Sequence, residues 1–73
     1  MTINCLSCDA HRPDRRALAK MFEEIAGADA GLAREYTDIL LDGSPVEIEV
    51  SGKTTSSAFR SLRKNQVEYE IVE

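Results

Sequence analysis

Two cysteines and one histidine near the amino terminus are the residues whose types and spacing could do chemistry. Cys5 and Cys8 form a Cys-x-x-Cys pair, and His11 follows three residues later. Thiolates at this spacing can hold Zn²⁺ or Cu(I), or work as a redox pair. A structural zinc site takes four ligands, whereas this chain contains only two Cys and one His. We interpret His11 as a solvated loop histidine.

The strand and the helix predicted around Cys5 and Cys8 do not favour a metal or redox site. Residues 2–7 are typical of a strand with Ile3 and Cys5 on one face. Residues i and i+3 of a strand point to opposite faces, so we expect the two sulfurs to diverge. A helix that starts at Pro13 lies too far along the chain to lower a thiol pKa through its dipole. We therefore interpret Cys5 as a core residue and Cys8 as a loop thiol, with metal binding by the pair as the alternative.

No other constellation indicates catalysis. The four glycines lack the spacing of a phosphate-binding loop, and no two carboxylates form an evident acid/base pair. A domain of this length buries only about 60% of its unfolded surface, which suits a binding module better than a strained active site. We therefore expect a non-enzymatic protein that needs no cofactor.

Length and composition indicate a single globular domain spanning residues 1–73. The chain is 42% hydrophobic and 30% charged, and its net charge is −4. That charge gives little support to generic nucleic-acid binding. No apolar run approaches the roughly 20 residues of a membrane span, and the start of the chain lacks the features of a signal peptide. We expect a cytoplasmic protein that does not enter a membrane.

The first half of the chain predicts one strand followed by two helices. Pro13 suits the first position of helix one, and Gly27 is a natural stop. Apolar residues at i, i+3, i+4 and i+7 give this helix its buried face, which comprises Leu18, Met21, Phe22 and Ile25.

The middle of the chain has two interpretations. A second helix, capped by Asp29 and ended by Gly43, would bury a stripe formed by Leu32, Tyr36, Ile39 and Leu40. Alternatively, residues 36–41 form a strand that enters a hairpin turn at Asp42-Gly43. We favour the helix because three apolar residues in a row at 39–41 spoil the alternation of a strand.

The last third of the chain predicts a strand, a helix and a closing strand. Apolar residues alternate with Glu at 46–50 and again at 67–71. Between them, Ala58, Phe59 and Leu62 form the inner stripe of a helix that Asn65 can end in the left-handed region. The predicted fold is α+β, a β-α-α-β-α-β two-layer sandwich with the helices on one face of a small three-stranded sheet.

Charge is distributed unevenly over these elements. Arg16 and Lys20 follow Arg12 at i+4 and i+8, with Arg15 beside them, whereas glutamates alternate along the last two strands. We favour two solvated surfaces that keep a small domain soluble. The alternative is a cationic helical face that docks on an acidic protein partner.

Several segments resemble the C-terminal domain of the bacterial ribosomal stalk protein. Residues 31–35 (Gly-Leu-Ala-Arg-Glu) match its Gly-Leu turn into a helix, and residues 38–46 match its small-Pro-Val exit into a short strand. Residues 51–58 and 67–71 occupy the places of its last helix and its closing Glu-x-Glu strand. The substrate adaptor of the Clp protease, which selects N-degrons, shares this architecture. The resemblance extends over nearly the whole chain.

The resemblance implies a domain that binds a protein partner and meets nucleic acid only indirectly, through the ribosome. The stalk domain docks translation factors through its first two helices. The cationic row on helix one and the polar face of helix two lead us to expect Arg15, Arg16, Lys20 and Arg34 as the partner contacts. If residues 36–50 were instead a hairpin, the order would become that of the ferredoxin-like plait. Cys5 and Cys8 would then resemble the Cu or Zn pair of the heavy-metal-associated domains of copper chaperones.

Overall fold

The computed structural model of the protein describes residues 1–72 and has the order β-α-α-β-α-β. One antiparallel sheet has the strand order β2-β1-β3, so the first strand is central. This arrangement confirms the predicted α+β fold. The elements are β1 (Thr2–Cys8), α1 (Arg15–Ala26), α2 (Ala30–Leu41), β2 (Val46–Glu49), a 3₁₀ turn (Gly52–Thr54), α3 (Thr55–Lys64) and β3 (Val67–Val72).

The hydrophobic core lies between the sheet and the helices. The alternation along β1 and β2 sends one set of side chains inward and leaves the glutamates of β2 exposed. The inner stripe of α1 is fully buried, as its spacing predicts. The core comprises Ile3, Cys5, Leu18, Met21, Phe22, Ile25, Ala33, Leu40, Val46, Ile48, Val50, Ala58, Leu62 and Val67.

Helix α1 begins two residues later than the sequence predicts. Asp14 is extended, and its carboxylate accepts a hydrogen bond of 3.1 Å from the Ala17 N–H, so it caps the helix while Pro13 precedes the cap. Arg12 therefore lies outside α1, and the predicted row of cations loses its first member. The helix ends as predicted, because Gly27 takes the left-handed conformation at φ +66°.

Residues 36–41 lie within α2, so the hairpin alternative and the ferredoxin-like plait are wrong. The Asp29 carboxylate accepts a hydrogen bond of 2.8 Å from the Leu32 N–H and caps the helix as predicted. Gly43 follows the helix in the left-handed region, at φ +92°. The two caps therefore define where the helix starts and ends. The three consecutive apolar residues at 39–41 do not fit a strand with one buried face.

The buried face of α2 is rotated from the predicted one. Ala33, Thr37 and Leu40 are buried, whereas Leu32 and Ile39 are 38% and 42% exposed. Leu40 is buried as predicted, but Ala33 and Thr37 take the other inward positions, so Leu32 and Ile39 lie on the flank. The Thr37 hydroxyl donates a hydrogen bond of 2.8 Å to the Ala33 carbonyl, so its burial leaves no polar atom unpaired.

A β-bulge in β1 changes the direction of Cys8. Cys5 pairs with Tyr69, but the next pairs are Ser7 with Glu68 and Cys8 with Val67, so one extra residue is inserted between them. Paired residues share a face of the sheet, and the extra residue restores Cys8 to the face that carries Cys5. The prediction that the two thiols point to opposite faces is therefore wrong, and Cys8 ends the strand rather than lying in a loop.

The end of α3 also differs from the prediction by one residue. Asn65 has a negative φ of −92°, and Gln66 takes the left-handed conformation at φ +56°. The Gln66 carbonyl accepts a hydrogen bond of 2.8 Å from the Asp9 N–H. A residue with a side chain is disfavoured in this conformation by roughly 1–2 kcal/mol relative to its right-handed form.

The Gln66→Gly variant is expected to raise the free energy of unfolding by about 1 kcal/mol. Glycine adopts a positive φ without strain and keeps both backbone hydrogen bonds of residue 66. Urea denaturation of the parent and the variant measures the change. The control is Asn65→Gly, which removes a side-chain hydrogen bond to the Ser61 carbonyl and is expected to destabilise. A loss of stability in Gln66→Gly would contradict the assignment.

Candidate functional site

A groove between α1 and α2 brings together three of the predicted partner contacts. The two helices are joined by a short turn, and the Arg15 guanidinium near the start of α1 lies 2.6 Å from the Asp38 carboxylate near the end of α2. The groove has a volume of about 250 Å³. It is lined by Arg15, Arg16, Ala19, Arg34, Thr37 and Asp38.

The fourth predicted contact, Lys20, lies in a neighbouring groove between α1 and α3. This second groove has a volume of about 240 Å³, and Lys64 and Glu24 also line it. Lys20 is one turn after Arg16 on the exposed side of α1, so the two grooves lie on either side of a cationic ridge. The sequence pattern could not place Lys64 here, because its position depends on how α3 packs against α1.

The electrostatics of the α1–α2 groove favour an anionic ligand. The Arg15–Asp38 pair has side chains that are 68% and 52% exposed, so its attraction is screened and contributes less than about 1 kcal/mol to stability. Arg16 and Arg34 form no ion pair with any residue of the range 1–72. Three guanidinium groups therefore line the groove against a single carboxylate.

The two cysteines lie in different environments. Cys5 is fully buried, and burial raises the pKa of its thiol to about 11, which disfavours the thiolate that metals and disulfide exchange require. The partly buried Cys8 donates a 3.4 Å hydrogen bond from Sγ to the Asn65 carbonyl. Both thiols are free, and His11 is exposed. Within residues 1–72, no group of three or more His, Cys, Asp and Glu residues is arranged to hold a metal ion.

The open face of the sheet is acidic. Polar groups on the central strand donate to carboxylates of the edge strands: Asn4 to Glu70 at 3.3 Å and Thr2 to Glu49 at 2.6 Å. The pKa of Glu49 is lowered, first by the Thr2 hydrogen bond and then by the amino-terminal ammonium group. The α1–α2 groove therefore carries mainly positive charge, whereas the open face of the sheet carries negative charge.

Comparison with protein-family models, curated proteins and solved structures found no match for this chain. The resemblance to the stalk domain and to the protease adaptor stays a prediction from the sequence motifs. Among the helices of residues 1–72, none combines the length and the apolar character needed to cross a membrane.

Proposed function

We propose that this chain is a non-enzymatic protein-interaction domain that binds an acidic segment of a partner protein in the α1–α2 groove. The observation that supports this proposal is the convergence of Arg15, Arg16 and Arg34 around one groove, to which the part of the chain that the structure describes contributes a single carboxylate, Asp38. The proposed partner and the domain meet in the cytoplasm. The surface uses the first two helices, as the resemblance to the stalk domain implies.

The lining of the groove fits a carboxylate-bearing segment. A guanidinium offers N–H donors in a planar fork that matches a carboxylate, and a bidentate pair is stronger than a single neutral hydrogen bond. Ala19 and Thr37 contribute short side chains between the arginines, which leaves room for an aspartate or glutamate. Lys20 lies beyond Arg16 and extends the positive potential along the ridge, where it would speed association with an acidic segment.

Charge reversal on the ridge is expected to weaken capture of the partner by roughly tenfold or more. The test is affinity capture from cell extract with the Arg16→Glu/Lys20→Glu double variant, quantified by mass spectrometry. The matched control is Lys53→Glu/Arg60→Glu, which makes the same change of charge at exposed residues away from the groove. The captured amounts should also fall as salt is raised, because exposed charges are screened. Equal capture by the parent and by both double variants would contradict the proposal.

The Asp38→Asn variant is expected to have the opposite effect on capture of the partner in the same experiment. Among residues 1–72, Asp38 is the only carboxylate that lines the groove. The change removes it and releases Arg15 from its ion pair, so capture should increase. The free energy of unfolding should change by less than about 1 kcal/mol, because the pair is exposed. Reduced capture by Asp38→Asn would show that the ligand is not an acidic segment.

A further inference from the structure

The outer edge of β3 has unpaired backbone groups. In the sheet order β2-β1-β3, this strand pairs only with β1, so its other edge faces away from the sheet. No residue of the range 1–72 pairs with that edge in the antiparallel ladder. Such an edge offers a row of N–H and C=O groups to an added strand.

An apolar strip lies beside this edge on the helix side of the sheet. Tyr69 and Ile71 pair with the buried residues Cys5 and Ile3 of β1, so their side chains point toward the helix layer. The helices cover this face progressively less along the strand: Val67 is 5% exposed, whereas Ile71 is 51% exposed. The strip extends onto α3 because the ring of Phe59 stacks on that of Tyr69 at 5.4 Å.

Among the described residues, the charged side chains on the other face of β3 are those of Glu68 and Glu70, and the apolar Val72 lies at the end of that face. Glu68 and Glu70 are exposed, and they accept hydrogen bonds from Ser7 and Asn4 of β1. A second copy that added its own β3 to this edge in the antiparallel direction would bring glutamates of the two copies close together, which is destabilising. A strand with cations on that face would instead form opposite-charge cross-strand pairs.

The edge of β2 lacks this combination. Strand β2 has four residues, compared with six in β3, and its inward-facing Val46 and Ile48 are 4% and 3% exposed. An added strand on that side would therefore find acidic residues but little apolar surface on the strand itself.

We propose that the outer edge of β3 binds an extended segment of a partner protein in which apolar residues alternate with Lys or Arg. The backbone pairs with β3, the apolar side chains contact Ile71 and the Phe59–Tyr69 stack, and the cations lie opposite Glu68 and Glu70. This surface and its ligand chemistry differ from those of the α1–α2 groove, so the two proposals stand or fall separately.

The test uses an acetylated six-residue peptide, (Val-Lys)₃, with a block isomer, Val₃Lys₃, and (Val-Glu)₃ as comparison peptides. We expect (Val-Lys)₃ to bind more tightly than either comparison peptide in a titration of the protein followed by NMR chemical shifts. Hydrogen exchange followed by NMR should show that (Val-Lys)₃ slows outward-facing amides of β3 by roughly tenfold or more. Charge attraction alone would leave those amides unprotected.

Glu70 and Glu47 provide matched variants because each pairs with Asn4, on opposite sides of the central strand. Glu70→Lys is expected to weaken binding of (Val-Lys)₃ by roughly tenfold, whereas Glu47→Lys should leave it unchanged. Equal binding of (Val-Lys)₃ and its block isomer, equal effects of the two variants, or protection confined to β2 would each overturn the proposal. Protection of β3 in a dimer formed without peptide would also overturn it, because the occupant would then be a second copy.

Discussion

Replacing Phe22 with alanine is expected to lower the free energy of unfolding by about 3–5 kcal/mol. Phe22 is fully buried on α1, and the edge of its ring meets the ring of Tyr36 of α2 at a centroid distance of 5.5 Å. Truncation would leave a cavity where the two helices and the sheet meet. Urea denaturation at pH 7 measures the loss, and Phe22→Leu should cost much less because it fills most of the volume.

Two leucines of α2 test the packing direction in the same assay. Leu40 is fully buried, so Leu40→Ala should cost about 2–5 kcal/mol. Leu32 is 38% exposed, and Leu32→Ala should cost well under half of that. Equal losses at the two positions would show that α2 is rotated from the orientation described here. A Phe22→Ala variant as stable as the parent would contradict the position of the core.

The free energy of unfolding is expected to fall by about 2 kcal/mol between pH 9 and 11 because of Cys5. Burial raises the pKa of this thiol from 9.0 to about 11, so the unfolded chain releases the proton at a lower pH than the folded one. The stabilisation is therefore complete below pH 9 and is lost as the pH rises through the folded pKa.

The measurement compares urea denaturation of the parent and of Cys5→Ala across this pH range. All other titratable groups are present in both proteins, so the difference between the two curves isolates the Cys5 contribution. The parent should lose its advantage over the variant as the pH approaches 11. Parallel curves throughout the range would show that the Cys5 thiol is not desolvated in the folded protein.

The order of the elements could be predicted from the sequence because hydrophobic spacing and caps agree along most of the chain. In α1, the apolar stripe from Leu18 to Ile25 determines which side of the helix is buried. Gly27 ends the helix through its own backbone conformation. At residues 36–41, the helix predicted from the Asp29 cap and the Gly43 stop is present, and the competing hairpin is not. These features depend on neighbours in the chain, which a sequence pattern can report.

Three features could not be predicted because they depend on packing between distant segments. Leu40 was correctly assigned to the buried face of α2, but Ala33 and Thr37 complete that face in place of Leu32 and Ile39. The bulge between Cys5 and Ser7 has no local signal such as a glycine, and it exists only in the pairing with β3. The left-handed residue after α3 is likewise Gln66 rather than Asn65.

The candidate site was predicted in part. The charges of Arg15, Arg16 and Arg34 are visible in the sequence, and the structure places all three at the α1–α2 groove. Lys20 was grouped with them by helical spacing, but α3 packs beside it and places it in a different groove. The small side chains that line the α1–α2 groove could not be predicted from the sequence, because they carry no charge that would mark them as part of a site.

The most direct test of the central claim follows the arginine side chains during an NMR titration with a hexaglutamate peptide. We predict that the Nε–Hε resonances of Arg15, Arg16 and Arg34 shift together along one saturating curve. Arg60, which is exposed on α3, should remain near its starting position. Shifts of all arginines in proportion to peptide concentration, without saturation at the α1–α2 groove, would contradict the claim that the three guanidinium groups form one binding site.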